Sequence, residues 1–417
     1  MDNVDYEAVV EELRGNFRSG ITRSAAYRKL QLKALGKCLE ENEEEFCEAL
    51  AADLKKNPSE TRITEVEFGK NAIRTALFEL DSWMKPVYTK KNLLTLMDTV
   101  YHYPQPYGVA LIIAPWNFPL NLSVIPLVGA IAAGNCAVVK PSEIASNTAA
   151  VLAKILPNLL QLFDKLYFNL CFPFVVLQRC YKVICGGVEE TSALLKVKFD
   201  YIFFTGGAKI GQVVATAASH HLTPVTLELG GKSPLYLDDT VDFDTAVKRI
   251  LWGKFQNAGQ LCLSPDYLMC SEPLAKKFVE KAQTIIADFF GEDPQKSDSF
   301  GRIINASHFK RLERLLETGH GKVVVGGITD EADLEHPLSV YVFSKDKNVI
   351  KMFAEETSSG SLSVNEVLFH FSVEELPFGG VGSSGFGTYH GKFSFDAFSH
   401  RRAVLKKDFN KLVEYVG

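Results

Sequence analysis

Residues 257–262 read Asn-Ala-Gly-Gln-Leu-Cys, a polar turn that ends on Cys262. A thiol in that place has four uses open to it: packing, half of a disulfide, a metal ligand or a nucleophile. Other segments carry groups of similar interest. Glu228 closes the strand-like run Val225-Thr226-Leu227-Glu228-Leu229 ahead of Gly230-Gly231; a carboxylate there is a general base or merely a solvated surface group. Asn117 follows Pro115-Trp116 in strongly apolar surroundings. An unpaired amide in such a setting costs about 1–3 kcal/mol, so it needs buried partners or a ligand. Lys140-Pro141-Ser142-Glu143 ends another apolar run, either as a nucleotide-facing pair or as an exposed loop pair. FFTGGAKIG, residues 203–211, passes from an apolar run through Gly206-Gly207 to a helix start near Ala208. Free N–H groups at such a start suit a pyrophosphate, although a tight strand-to-helix turn reads the same.

Two further motifs are weaker. Gly380-Val381-Gly382-Ser383-Ser384-Gly385 matches G-x-G-x-x-G, but no strand leads into it and no acidic residue follows about twenty positions on. Gly230-Gly231-Lys232-Ser233 resembles the tail of a phosphate-binding loop, yet Thr226 stands where the first glycine belongs, which rejects it.

Composition narrows the choices for Cys262. The chain has 417 residues, 47% hydrophobic and 23% charged, with net charge −5, ordinary for a soluble protein of two or more domains. A mildly acidic balance without basic runs argues against nucleic acid as a partner. The eight cysteines include no C-x-x-C pair, and no His or Cys lies near Cys262 at ligand spacing. They read as reduced thiols in a cytoplasmic protein, with neither a disulfide nor a zinc site at Cys262. The chain ends KLVEYVG, without a hydrophobic tail or a prenylation cysteine, so no membrane anchor is expected.

The elements that must position these groups can be placed coarsely. Roughly the first eighty residues are helical, with Asn57-Pro58-Ser59 as a start signal and Ile63, Val66, Ile73, Leu77 and Leu80 at helical spacing. Residues 85–106 have the alternation of an exposed strand pair and form a candidate arm. Between Tyr107 and Val139 there is no charge, which imitates a membrane span. Three prolines and three asparagines divide it instead into a strand (Val109–Ala114), a buried helix (about Leu120–Ala133) and a strand (Cys136–Val139). The alternation continues through FDYIFFTGG and TPVTLELGG, as right-handed crossovers in a doubly wound parallel sheet require. A second strand–helix series follows Gly231, with helices near Val241–Lys254 and Pro273–Phe290. Asn117, Lys140, Glu143, Gly206, Gly211 and Glu228 then all fall at or just beyond the carboxyl ends of parallel strands, facing one crevice.

With those positions together, the sequence resembles the aldehyde dehydrogenase superfamily. PWNFPL, KPSE, FTGG, ELGGKSP and NAGQLC stand in that family's order and spacing, and the closing LPFGGVGSSGFGTYHGKFSFDAFSHRRAVL is similar to its class 3 branch of fatty and aromatic aldehyde dehydrogenases. The resemblance implies an α/β fold: a Rossmann-like cofactor domain (1–84 with 107–228), an α/β catalytic domain (229–390), and a small β arm (85–106 with 391–417) used in homodimerisation. It makes Cys262 the nucleophile, Glu228 the general base and Asn117 an oxyanion ligand. It places NAD or NADP against Trp116, Lys140, Glu143, Gly206, Gly207, Gly211 and Leu229, with no metal. The chemistry agrees. A thiol of pKa about 8.5 adds to an aldehyde once partly ionised. The Asn117 amide and the Cys262 N–H could hold the oxyanion, each worth about 3–4 kcal/mol. Hydride loss gives a thioester that Glu228 helps water to hydrolyse.

Two departures from the family stand out. A Glu-x-Phe-Gly-Pro motif, whose Glu and Phe hold the nicotinamide ribose and ring in the family, occurs nowhere in the chain; Gly326–Glu335 runs straight into His336-Pro337-Leu338. Conversely, Leu160–Gly187 is longer than the family's link, and its apolar block Phe168–Leu177 has no evident place on a surface. Gly207 stands where the family often has Ser. The expected activity is therefore NAD(P)-dependent oxidation of medium- or long-chain aliphatic or aromatic aldehydes, with a catalytically impaired nucleotide-binding or dimer-forming relative as the alternative. A thiol hydrolase fits poorly, since no motif positions a His toward Cys262.

Overall fold

The computed structural model describes residues 4–158, 180–318 and 337–407. Four helices, Tyr6–Arg18, Ala25–Glu41, Glu43–Leu54 and Phe68–Trp83, open the chain. Asn57 caps the turn at Pro58 by accepting the Ser59 N–H at 2.8 Å. The last helix buries Gly69, Ala72, Ile73, Ala76 and Leu80 on one face. Ile63 departs from the expected stripe and is 61% exposed, because Arg62–Glu67 is a widened π-type turn that shifts the register.

Strands β1 (Val87–Tyr88) and β2 (Thr99–Pro106) form the arm. Then come β3 (Val109–Ile113), β4 (Cys136–Lys140), β5 (Tyr181–Val183), β6 (Tyr201–Thr205) and β7 (Val225–Glu228). All five are mutually parallel and share one sheet. β3 and β4 are buried along their whole length, which is why they read as unbroken apolar runs. The charge-free helix between them, Asn121–Ala133, is buried on every side and ends at Gly134 with φ 91°.

β8 (Ser233–Leu237), β9 (Pro265–Met269), β10 (Ser339–Phe343) and β11 (Ser361–Val364) make a second, wholly parallel sheet in the order β11-β10-β8-β9. Helices Phe243–Phe255 and Glu272–Phe290 belong to this half. Residues 159–179, which include most of the long link Leu160–Gly187, and the Glu335–His336 junction lie outside the described residues, as does Cys171.

Two C-terminal pieces pack elsewhere than the expected partition puts them. Gly385–Phe386, β12, pairs antiparallel with β7 and completes the first sheet in the order β12-β7-β6-β3-β4-β5. Helix Gly391–Ala397 lies on helix Asn121–Ala133, where Gly129 leaves room for Ser394. Only β13 (Ser399–Lys406) joins the arm, running antiparallel to β2 over eight residue pairs.

Candidate active site

Strand order in the first sheet reverses between β3 and β6, and the loops leaving their carboxyl ends diverge there. Such a switch point opens a crevice in any doubly wound sheet. Lys140 and Glu228 are the last residues of β4 and β7, while Asn117 and Gly206-Gly207 lie just past β3 and β6. One sheet edge therefore gathers all of them, as the strand pattern requires.

A cavity of about 520 Å³ opens beside that edge. Cys262 and Glu228 line it together with Thr205, Leu229 and an apolar wall that includes Phe118, Leu122, Trp252, Phe369, Phe371 and Tyr389. Glu228 is 2% exposed, and neither carboxylate oxygen has a hydrogen-bond partner. Burial alone holds its pKa well above the usual carboxylate range. Its backbone is fixed instead: the Gly206 N–H donates to the Glu228 carbonyl, and β12 flanks it on the other side. A side chain at Gly385 would collide with the Leu227 carbonyl. The G-x-G-x-x-G run thus serves close backbone packing behind Glu228.

Cys262 keeps part of its surface, on the cavity. Its thiol is pushed up to about 12, first by burial and then by the Glu228 charge, while the N–H groups of Cys262 and Leu263 pull the other way. The partly ionised thiol expected from sequence is thus a neutral one at rest, because the apolar wall and a neighbouring carboxylate both disfavour the thiolate. The seven described cysteines are free thiols, and the described residues hold no cluster of three metal-ligating groups.

The loop carrying Cys262 is unusual backbone. Asn257, Ala258 and Gly259 have φ of 50°, 54° and 76°; left-handed geometry costs a non-glycine residue roughly 1–2 kcal/mol. A hydrogen-bonded frame holds it. The Asn257 N–H donates to Glu60 Oε1 at 2.8 Å, and Asn257 Nδ2 donates to the Asn117 carbonyl at 2.8 Å. Asn117 Nδ2 in turn donates to the Gln260 carbonyl at 3.0 Å. Gln260 Nε2 reaches the carbonyls of Asn257 and Arg302, and its Oε1 accepts the Ile304 N–H. Beyond Cys262, the Tyr341 hydroxyl donates to the Leu263 carbonyl at 2.8 Å. Asn117 thus spends one amide hydrogen on the loop that carries Cys262 and stands outside the cavity lining.

The cofactor-side residues fit the adenosine and pyrophosphate half of a dinucleotide. Helix Ala208–Ser219 starts after Gly207 with no side-chain cap, and nothing stands within 4 Å of where a Gly207 Cβ would be. A Cβ at Gly211 would strike Leu229 at 2.6 Å, and one at Gly206 would strike the Phe204 ring. Lys140 Nζ pairs with Glu143 Oε2 at 2.8 Å, the lysine head buried and the glutamate 42% exposed. Trp116 packs against His308, ring centroids 4.9 Å apart.

A family model, Aldehyde dehydrogenase family, matches residues 1–337 and 328–404 of this sequence. The chain belongs to the aldehyde dehydrogenase family. It is 44% identical to Aldehyde dehydrogenase family 3 member B1 of Bos taurus, over 96% of this chain and 91% of that protein. This relationship is to class 3 of the family, and the chain is an aldehyde dehydrogenase by descent and fold. The substrate-bound state of Staphylococcus aureus AldH superposes with a TM-score of 0.88 at 35% identity, covering 97% of this chain and 94% of that one. Glyceraldehyde-3-phosphate dehydrogenase GapN from Methanocaldococcus jannaschii, complexed with NADP, has the same fold (TM-score 0.83, 24% identity, 96% and 94% coverage). The alignment with the bovine relative spans 444 positions, more than the 417 residues of the whole chain, so that relative carries residues this aldehyde dehydrogenase lacks. The two family-model matches overlap at residues 328–337.

Sequence reading missed Lys56, Glu60, Glu65 and Tyr341. The widened turn Arg62–Glu67 takes Glu65 off the helical spacing of Phe68–Trp83, so the apolar stripe gave no signal for it.

Proposed function

We propose that this aldehyde dehydrogenase oxidises medium- or long-chain aliphatic or aromatic aldehydes to carboxylic acids through a Cys262 thioester. The observation that carries the reading is the shared cavity of about 520 Å³, whose largely apolar wall holds both the Cys262 thiol and the partnerless Glu228 carboxylate. Bound NAD or NADP supplies the hydride acceptor, as the NADP complex of the archaeal relative suggests by analogy. Lys140, Glu143 and the start of helix Ala208–Ser219 hold its adenosine and pyrophosphate. Cys262 Sγ bonds to the carbonyl carbon as the C=O π bond breaks onto oxygen, and the thiol proton goes to solvent. The Cys262 N–H and the second Asn117 amide hydrogen stabilise the oxyanion, and Glu228 later takes a proton from the water that cleaves the thioester. NADH formation with hexanal or benzaldehyde, together with acyl-Cys262 in a peptide digest, tests this. Product without modification at Cys262 overturns it.

Asn117→Ala lowers kcat by roughly a hundredfold or more and leaves cofactor affinity nearly unchanged. A change confined to KM would refute the oxyanion role.

Glu228 gives a pH prediction. Its charge raises the thiol, so Glu228→Gln moves the Cys262 titration down, and the thiolate fraction at pH 8 rises by up to about tenfold per pKa unit. Iodoacetamide alkylation of Cys262 therefore quickens in the variant at pH 8, while in the parent it climbs through pH 10 without levelling. Slower alkylation in the variant would instead make Glu228 the base that activates Cys262.

The arm supports a homodimer: Leu93, Leu94, Leu96 and Met97 stand exposed beside it. The free thiols fit a reducing, cytoplasmic setting. Sizing and cell fractionation check both.

A further inference from the structure

Lys56 and Glu65 form an ion pair of 2.6 Å in which both side chains are fully buried. The cavity leaves them out, and the reaction above gives them no task. A buried pair is weak support for stability, since well-packed apolar residues often replace one without loss. Its contacts point to a different role. Glu65 Oε2 accepts the Asn121 N–H at 2.9 Å, and Asn121 Nδ2 returns to the Thr64 carbonyl. Lys56 Nζ lies 3.9 Å above the Phe118 ring and 3.5 Å from the Asn117 carbonyl. The second distance is the outer edge of a hydrogen bond, but a full cation facing a carbonyl dipole in a dry interior remains a directed contact. The same Asn117 carbonyl accepts Asn257 Nδ2, and Asn117 Nδ2 holds the Gln260 carbonyl two residues before Cys262. Glu60, whose carboxylate holds the Asn257 N–H, also feels the Lys56 charge. The π-type turn Arg62–Glu67 carries Glu65 into this position, and such turns gather at functional sites.

We propose that Lys56, held by Glu65, is a positioning residue that fixes Asn117 and, through it, the left-handed loop that presents Cys262. The proposal rests on Cys262 as nucleophile, so its test separates the two. Acylation of Cys262 in the full chain by 4-nitrophenyl acetate, without cofactor, forms the S–acetyl bond and breaks the ester C–O bond. It releases 4-nitrophenolate, and the thiol proton goes to solvent. Lys56→Met/Glu65→Leu keeps the volume and removes both charges. It is expected to keep Tm within about 5 °C of the parent while acylating Cys262 at least about tenfold more slowly, with the ester's apparent affinity unchanged. Glu65→Asp, which keeps both charges but shortens the tether, gives a second reading should the double variant not fold, and slows acylation severalfold. Iodoacetamide labelling of Cys270 stays constant in both. Acylation within twofold of the parent in either folded variant overturns the proposal, as does an equal loss of affinity, which would mark a merely structural role. No acetyl-Cys262 in the parent overturns the nucleophile reading itself, and this proposal with it.

Discussion

Cys262→Ser lowers aldehyde oxidation by at least about a thousandfold while NAD binds almost as before. Loss of a covalent nucleophile removes the bond-forming step rather than trimming it. The surroundings sharpen the expectation. A thiol held near 12 by burial and by Glu228 is already a reluctant anion, and a serine hydroxyl in the same apolar wall is far more so. The Cys262 N–H remains in the variant, so the proposed oxyanion site persists with nothing to form the adduct. The residues proposed to hold the cofactor, Lys140, Glu143 and the helix start at Ala208, do not touch the substituted atom. Cys270 is the control: it lies just past β9 on the second sheet, outside the cavity lining, so Cys270→Ser leaves the rate within about twofold. Should Cys270→Ser be the damaging change and Cys262→Ser harmless, the nucleophile is misassigned. Tryptophan fluorescence titration with NAD, run beside the rate assay, separates lost chemistry from lost binding.

Much of this site was legible because its parts are local patterns with a physical cause. β3 and β4 read as strands because both faces of their sheet are covered, which leaves no polar alternation. Asn57-Pro58 announced its turn through a cap and a fixed φ. The carboxyl-end clustering of Lys140, Gly206 and Glu228 follows from parallel crossovers alone. What the sequence hid is tertiary. A two-residue strand, Gly385–Phe386, carries too little pattern to be seen, yet it backs Glu228. One widened turn rotated Ile63 out of its expected stripe and Glu65 inward. The thiol's pKa was misjudged because it depends on what surrounds Cys262 in space: an apolar wall drawn from distant segments, and Glu228. The Asn117 amide, read as aimed at the oxyanion, also braces the loop through Gln260. Spacing alone could not have shown that second bond.

This protein is expected to bind NAD measurably yet to oxidise aldehydes at least about a hundredfold more slowly than a variant carrying the family segment. The residues proposed for the adenosine and pyrophosphate, Lys140, Glu143 and Gly206–Gly211, are present and would supply affinity. Hydride transfer needs more, because the reacting atoms must lie within about 3–3.5 Å, and a misplacement of 1 Å costs about a hundredfold. The family's Glu-x-Phe-Gly-Pro motif, which holds the nicotinamide end, occurs nowhere in the chain. The bovine relative carries positions that this chain lacks, and the two family-model matches overlap at residues 328–337. Asn365 is a poor substitute. Its side chain accepts the Ser344 N–H and donates to the Ser344 carbonyl, tying β11 to the end of β10. Its amide is therefore spent on the second sheet. The measurement is single-turnover NADH formation in this protein and in a variant with a family-like Glu-x-Phe-Gly-Pro stretch inserted after Glu335, each at saturating NAD. Saturation removes any difference in affinity, so the ratio reports the placement of the nicotinamide. Equal rates would sink the prediction and move attention to the groups that already border both cavity and crevice, Thr205 and Leu229. A hundredfold gain on insertion would mean that this fold keeps its nucleophile and its cofactor grip while lacking the contact that brings the two together.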